Sequence, residues 1–132
     1  MKLRKRILSL VLAVMLVVAM AVPASAANRF EYRTGSGCTV AVSAECSVLD
    51  YSAVMEYQNS NSGNPMDYTF QVKLVRTTKR AGDTYVTEYP QWSTASTRIA
   101  GISGTSDWVL SKINCDFYIN NSKDGNTLVL TQ

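Results

Sequence analysis

The stretch from Cys38 to Val48, CTVAVSAECSV, constrains this chain more than any other. Its even positions are Cys38, Val40, Val42, Ala44, Cys46 and Val48, and its odd positions are Thr39, Ala41, Ser43, Glu45 and Ser47. Successive side chains of a strand point to opposite faces, so the stretch predicts a strand with one apolar and one mostly polar face. Single-face burial favours an antiparallel sheet, because parallel sheets are covered on both faces. Cys38 and Cys46 share the apolar face, yet eight extended residues separate them by roughly 26 Å. A disulfide needs Cα atoms within about 7 Å, and no Gly, Pro or Asn between them lets the chain turn back. They do not bridge each other.

Similar alternation recurs with less purity. Tyr51, Ala53, Met55 and Tyr57 alternate with Ser52, Val54, Glu56 and Gln58, although Val54 falls on the polar side. Tyr68, Phe70, Val72 and Leu74 share the next apolar face. NSNSGNPM at 59–66 reads as a loop, and KRAGD at 79–83 as a hairpin turn into TYVTEY. Pro90 ends that strand because it cannot donate to a ladder. RIAGI at 98–102 follows. The stretch from Trp108 to Ile119 then places Val109, Ile113, Cys115, Phe117 and Ile119 on one face, and TLVLT closes the domain.

About seven strands without helical periodicity predict an all-β fold, a two-layer antiparallel β-sandwich with a small barrel as the alternative. Its core is expected to include Val40, Val42, Val72, Leu74, Ile113 and Phe117. Thr39, Ser43, Glu45, Lys73 and Lys112 are expected to be exposed.

The domain begins after a leader. Lys2, Arg4, Lys5 and Arg6 precede an apolar run from Ile7 to Val22, and Ala24-Ser25-Ala26 supplies a small-residue cleavage site. That layout predicts a secretory signal peptide over 1–26 and a single domain over 27–132. The run has 16 residues, short of the roughly 20 a bilayer core requires. The expected product is therefore secreted, with no stable membrane insertion after cleavage. Four of the thirteen basic residues leave with the leader, so nine bases face ten acids and the net charge becomes −1. Such a surface gives no footprint for nucleic acid.

Histidine is absent. That removes His-assisted nucleophiles and His-containing metal sites, and no motif selects a pair of carboxylates. The expectation is a chain that is no enzyme and has no cofactor or metal. NNSKDGN at 120–126 imitates the front of an EF-hand loop, but Thr131 stands where a bidentate Glu is needed. It is read as a turn using Asp124-Gly125. Three cysteines leave at least one thiol unpaired within the chain. They are either all buried and free or include one bridge across the core, with Cys46–Cys115 ahead of Cys38–Cys115.

Two surface stretches remain. Arg76, Lys79 and Arg80 surround one hairpin end. They read first as a solvated turn whose charges guard an edge and second as a patch for anionic polymers. In EYPQWSTAST, residues 88–97 and read as a loop, Tyr89 and Trp92 flank Pro90. Trp92 either caps the open end of the core, the favoured reading, or joins Tyr89 as a contact for ligand. The expected function is a secreted, non-catalytic binding module of the bacterial cell envelope or extracellular space. Its partner would be an extracellular or cell-surface ligand, glycan or protein. The alternative is a small secreted bacteriocin-like toxin or effector.

Overall fold

Hydrogen bonding sorts residues 27–132, the part described by the computed structural model, into ten strands. They are β1 Ala27–Gly35, β2 Cys38–Cys46, β3 Asp50–Ser60, β4 Phe70–Arg80, β5 Thr84–Thr87, β6 Gln91–Ala95, β7 Ile99–Thr105, β8 Val109–Ile119, β9 Ser122–Lys123 and β10 Leu128–Thr131. The leader expected at residues 1–26 lies outside the described residues. The only helical segments described are two single 3₁₀ turns, Pro65–Asp67 and Ala81–Asp83.

The strands form two antiparallel sheets, one of them strongly curled into a half-barrel, as an all-β sandwich requires. Sheet A runs β1-β2-β3-β7. Sheet B is centred on β4, which pairs with β8 on one side; β8 in turn pairs with β10 and β9. On its other side β4 pairs with two strands in succession, Thr77–Arg80 with β5 and Phe70–Leu74 with β6. β5 and β6 thus act as one strand broken at Glu88-Tyr89-Pro90, where the proline lacks an amide donor.

Alternation decides which faces meet. β2 turns small or medium side chains inward, Val40, Val42 and Ala44, and β3 sets Ala53 among Tyr51, Met55 and Tyr57. Sheet B answers with large ones, Phe70, Leu74, Ile113 and Phe117, so the two inner faces fill the space between them. All six residues expected in the core are fully buried. Of the five expected on the surface, only Glu45 is fully exposed. Thr39, Ser43, Lys73 and Lys112 are half-buried, because neighbouring strands on both sides shield a central strand's outer face.

Two expectations are corrected. Strand count is ten rather than about seven, because β1, β6 and the two-residue β9 were not read as strands. β1 escaped because its inward positions include Arg29, Glu31 and Arg33 rather than apolar residues. The face expected for β8 holds from Ile113 onward but fails at its start. Thr77 pairs with Lys112 while Thr78 pairs with Leu110, leaving Ser111 as an extra residue in a β-bulge. The bulge reverses the faces, so Leu110 is buried and Val109 is exposed.

Turn chemistry fixes the hairpins. Ser36 and Gly37 both have positive φ, the two-residue turn that matches strand twist between β1 and β2. Asn120 and Asn121 do the same between β8 and β9. The hairpin turn is therefore Asn-Asn, and Asp124-Gly125 forms the next bend. The sandwich has two unlike seams. At one, residues 96–98 carry the chain from β6 in sheet B to β7 in sheet A. At the other, β1 and β10 are not hydrogen-bonded strand neighbours. Side chains span it: Arg33 Nη1 donates to the Asp124 carbonyl at 2.7 Å, and Gln132 Nε2 to the Cys46 carbonyl at 2.9 Å.

Candidate binding surface

Trp92 lies on β6, a strand where a loop was expected, and alternation turns it to the outer face of sheet B. Gln91 beside it points the other way, donating from Nε2 to the Tyr51 hydroxyl at 3.1 Å. The favoured reading of Trp92 as a cap on the core is therefore corrected: its residue remains 53% exposed.

Strand register explains what surrounds it. Trp92 pairs with Lys73, which pairs with Asp116; one step on, Thr94 pairs with Gln71 and Gln71 with Tyr118. From β6 the indole reaches across β4 to Tyr118 on β8, with ring centroids 5.5 Å apart and planes tilted by 42°. The Lys73 ammonium sits 5.4 Å from the indole centroid, within cation–π range. Contacts on these sides limit the indole's motion and leave the rest of its surface open to solvent.

Polar groups fringe the rings. Gln71 Nε2 donates to Thr94 Oγ1 at 3.3 Å. Asp116 accepts from Thr127 Oγ1 and pairs with Lys123 at 3.3 Å, while Lys123 also donates to Thr127 Oγ1 at 3.0 Å. The face offers an aromatic platform beside amide, hydroxyl and charged groups. Such a surface can stack on an apolar ring face and exchange hydrogen bonds at its edge.

Tyr89 does not join this platform. It is 93% exposed at the break between β5 and β6 and forms no ring pair among the described residues. The partner of Trp92 is Tyr118, which sequence reasoning passed over. Its signal was parity: Tyr118 occupies the outward face of the same alternating strand as Phe117.

The expected basic cluster is drawn into ion pairs, three cations against the two carboxylates of Glu88 and Asp83. Arg76 and Arg80 both pair with Glu88, the latter at 3.3 Å, and Lys79 pairs with Asp83 at 3.0 Å. The hydrogen bond it donates to the Asp83 carboxylate holds the Lys79 ammonium above its ordinary range. Arg76 also lies 4.8 Å from the Tyr51 ring centroid, and Arg80 4.5 Å from that of Trp108. These contacts make the three cations parts of local ion pairs rather than an open anion patch.

The three cysteines are buried and free, so no Cys46–Cys115 bridge is present. Desolvation pushes all three thiols up, Cys115 to about 12 with help from the negative charges of Asp116 and ionised Cys46. A buried protonated thiol is a poor nucleophile. Among the described residues no group of three or more His, Cys, Asp or Glu side chains gathers to hold a metal ion. Comparison of the chain with protein-family models, curated proteins and solved structures finds no match.

Proposed function

We propose that the chain is an exported, non-catalytic binding module that meets an extracellular or cell-surface ligand, glycan or protein, through the Trp92–Tyr118 face of sheet B. One observation carries the reading: Trp92 is half-exposed yet held by Tyr118 and Lys73. An aromatic anchored in this way loses little side-chain freedom on binding, which lowers the entropic cost of association. The leader expected over 1–26 from its basic head, short apolar run and small-residue site supports export. The protonated, buried thiols and the absence of histidine support a role without catalysis.

Paired variants test the surface. Trp92→Ala and Tyr118→Ala are each measured for retention on immobilised glycans and on intact bacterial cells. Both are expected to lose retention at least tenfold, with far-ultraviolet circular dichroism unchanged. Full retention by both folded variants removes this face as the contact. Growth inhibition of neighbouring bacteria by the purified protein would replace the binder with the toxin reading.

A further inference from the structure

A strand with no hydrogen-bonded neighbour on one side is a template for another strand. Among the edge strands described, β1 is the longest unbroken one, nine residues against seven for β7, five for β6, four each for β5 and β10 and two for β9. β7 is also partly occupied, since its Gly101 amide donates to Ser93 Oγ on β6 at 3.3 Å. The open edge of β1 carries Phe30 and Tyr32 on the outer face of sheet A, 62% and 65% exposed. Their rings meet edge to face at 5.2 Å. Beneath them the paired positions on β2 are the small Ser43 and Ala41.

The charges on the strand's other face set rules for a partner. Residues 29–33 read Arg-Phe-Glu-Tyr-Arg, and two copies of this segment can pair antiparallel about a two-fold axis. Centred on Glu31, the pairing opposes two carboxylates and sets Arg29 against Arg33 of the second copy, which destabilises it. Centred on Tyr32, it calls on Arg33, whose side chain is 10% exposed and already bound to Glu31 and the Asp124 carbonyl. That register also runs the second copy along Gly35, where a Cβ would stand 2.6 Å from Asp124 Oδ1. Centred on Phe30, the pairing sets Arg29 against Glu31 of the second copy twice, puts Arg33 opposite only the small Ala27, and leaves Thr34 and Gly35 beyond the second copy's β1. Arg29 is exposed and has no ion-pair partner among the described residues, and the Glu31 side chain is 41% exposed. Of the three, this register alone sets the unpaired Arg29 against a carboxylate, Glu31, whose Oε2 takes no bond from Arg33, and brings Phe30 against its own copy.

We propose that two copies of this chain join edge to edge through β1, antiparallel and centred on Phe30, so that two four-stranded sheets become one continuous sheet. The closed two-fold contact leaves neither β1 edge available to a third copy.

Cross-linking reads the register directly. Directly opposed residues in antiparallel strands have Cα atoms about 4.5–5.5 Å apart, inside the span of a disulfide. Phe30→Cys protein is therefore expected to give a covalent dimer under mild oxidation, while the three native thiols stay buried. Tyr32→Cys is expected not to, because its two copies stand roughly 13 Å apart along the strands in this register. In parallel, sedimentation of the purified wild-type protein across a concentration series is expected to show a monomer–dimer equilibrium. Arg29→Glu, an exposed change, is expected to weaken that equilibrium at least tenfold with no loss of circular-dichroism signal. A wild-type monomer at every soluble concentration overturns the proposal. So does a dimer cross-linked through residue 32 and not 30.

Discussion

Strands β1 and β2 have the same length and stay hydrogen-bonded in one register over all nine residues, but they use their inward faces in opposite ways. β2 buries Cys38, Val40, Val42, Ala44 and Cys46. Paired with the last four of these, β1 places Arg33, Glu31, Arg29 and Ala27 on the same side. Neighbours make the difference. β2 lies between β1 and β3 and faces the aliphatic and aromatic side chains of sheet B. β1 overhangs the seam and faces the bend at 124–126, where a backbone carbonyl and the face of Phe117, 5.3 Å from the Arg33 guanidinium carbon, accept a cation. Inward-pointing charge on an edge strand also discourages indiscriminate pairing. Alternation therefore shows which residues share a face; the material opposite decides what that face must be made of.

The hardest blow to this contrast is to give β2 the chemistry of β1. Val42→Asp places a carboxylate directly opposite Glu31 in a fully buried position. The cost is several kcal/mol, and the variant is expected to lose its cooperative thermal transition. Glu31→Val, the converse change on β1, is expected to remain folded in the same assay.

Raising the pH probes the buried face without mutation. The folded state holds the Cys115 proton up to about 12, whereas in the unfolded chain the thiol ionises near its ordinary value of 9.0. Below pH 9 both states are protonated and the linkage is silent. Between pH 9 and about 12 the unfolded state binds fewer protons, so stability falls as pH rises, approaching about 1.4 kcal/mol per pH unit for this thiol alone. Cys38 and Cys46 shift in the same direction. Urea titrations from pH 8 to 10.5 should show the decline, and Cys115→Ala should flatten it relative to wild type. An unchanged slope in that variant would separate alkaline sensitivity from this thiol.

A smaller loss is expected from the charged face itself. Arg33→Ala removes the pair with Glu31, the bond to the Asp124 carbonyl and the contact with Phe117. About 1–2 kcal/mol of unfolding free energy should disappear. Arg33→Met keeps the stem over Phe117 and should recover part of it, as read by the urea midpoint at pH 7.

Much of the fold was legible because central strands obey a simple rule. The faces of β2 and β4, the core residues and the turn at 79–83 all follow from alternation and turn residues. β1 was harder because its pattern is inverted, although Gly35-Ser36-Gly37 before Cys38 carries the sign of a two-residue hairpin. The break in β8 was hidden because Ser111 resembles any strand residue until its partner is known. At the candidate surface Trp92 was identifiable as an unusual aromatic. Its companion was misassigned to Tyr89, which lies near in sequence, rather than to Tyr118, which register brings across β4.

The unlike seams give the sandwich a direction in which to come apart. At the β6–β7 side the backbone itself crosses between sheets, so parting them there requires disturbing a continuous chain. At the β1–β10 side only side-chain contacts join the sheets, and β1 can swing out about the Ser36-Gly37 turn by giving up its ladder with β2 while the other strands keep theirs. Such a partial opening costs less than global unfolding and forms a separate low-energy excursion of the native protein. It would uncover the edge of β2 and one flank of Phe117 before the rest of the core is wetted. The first water to enter this core therefore arrives beneath Arg33.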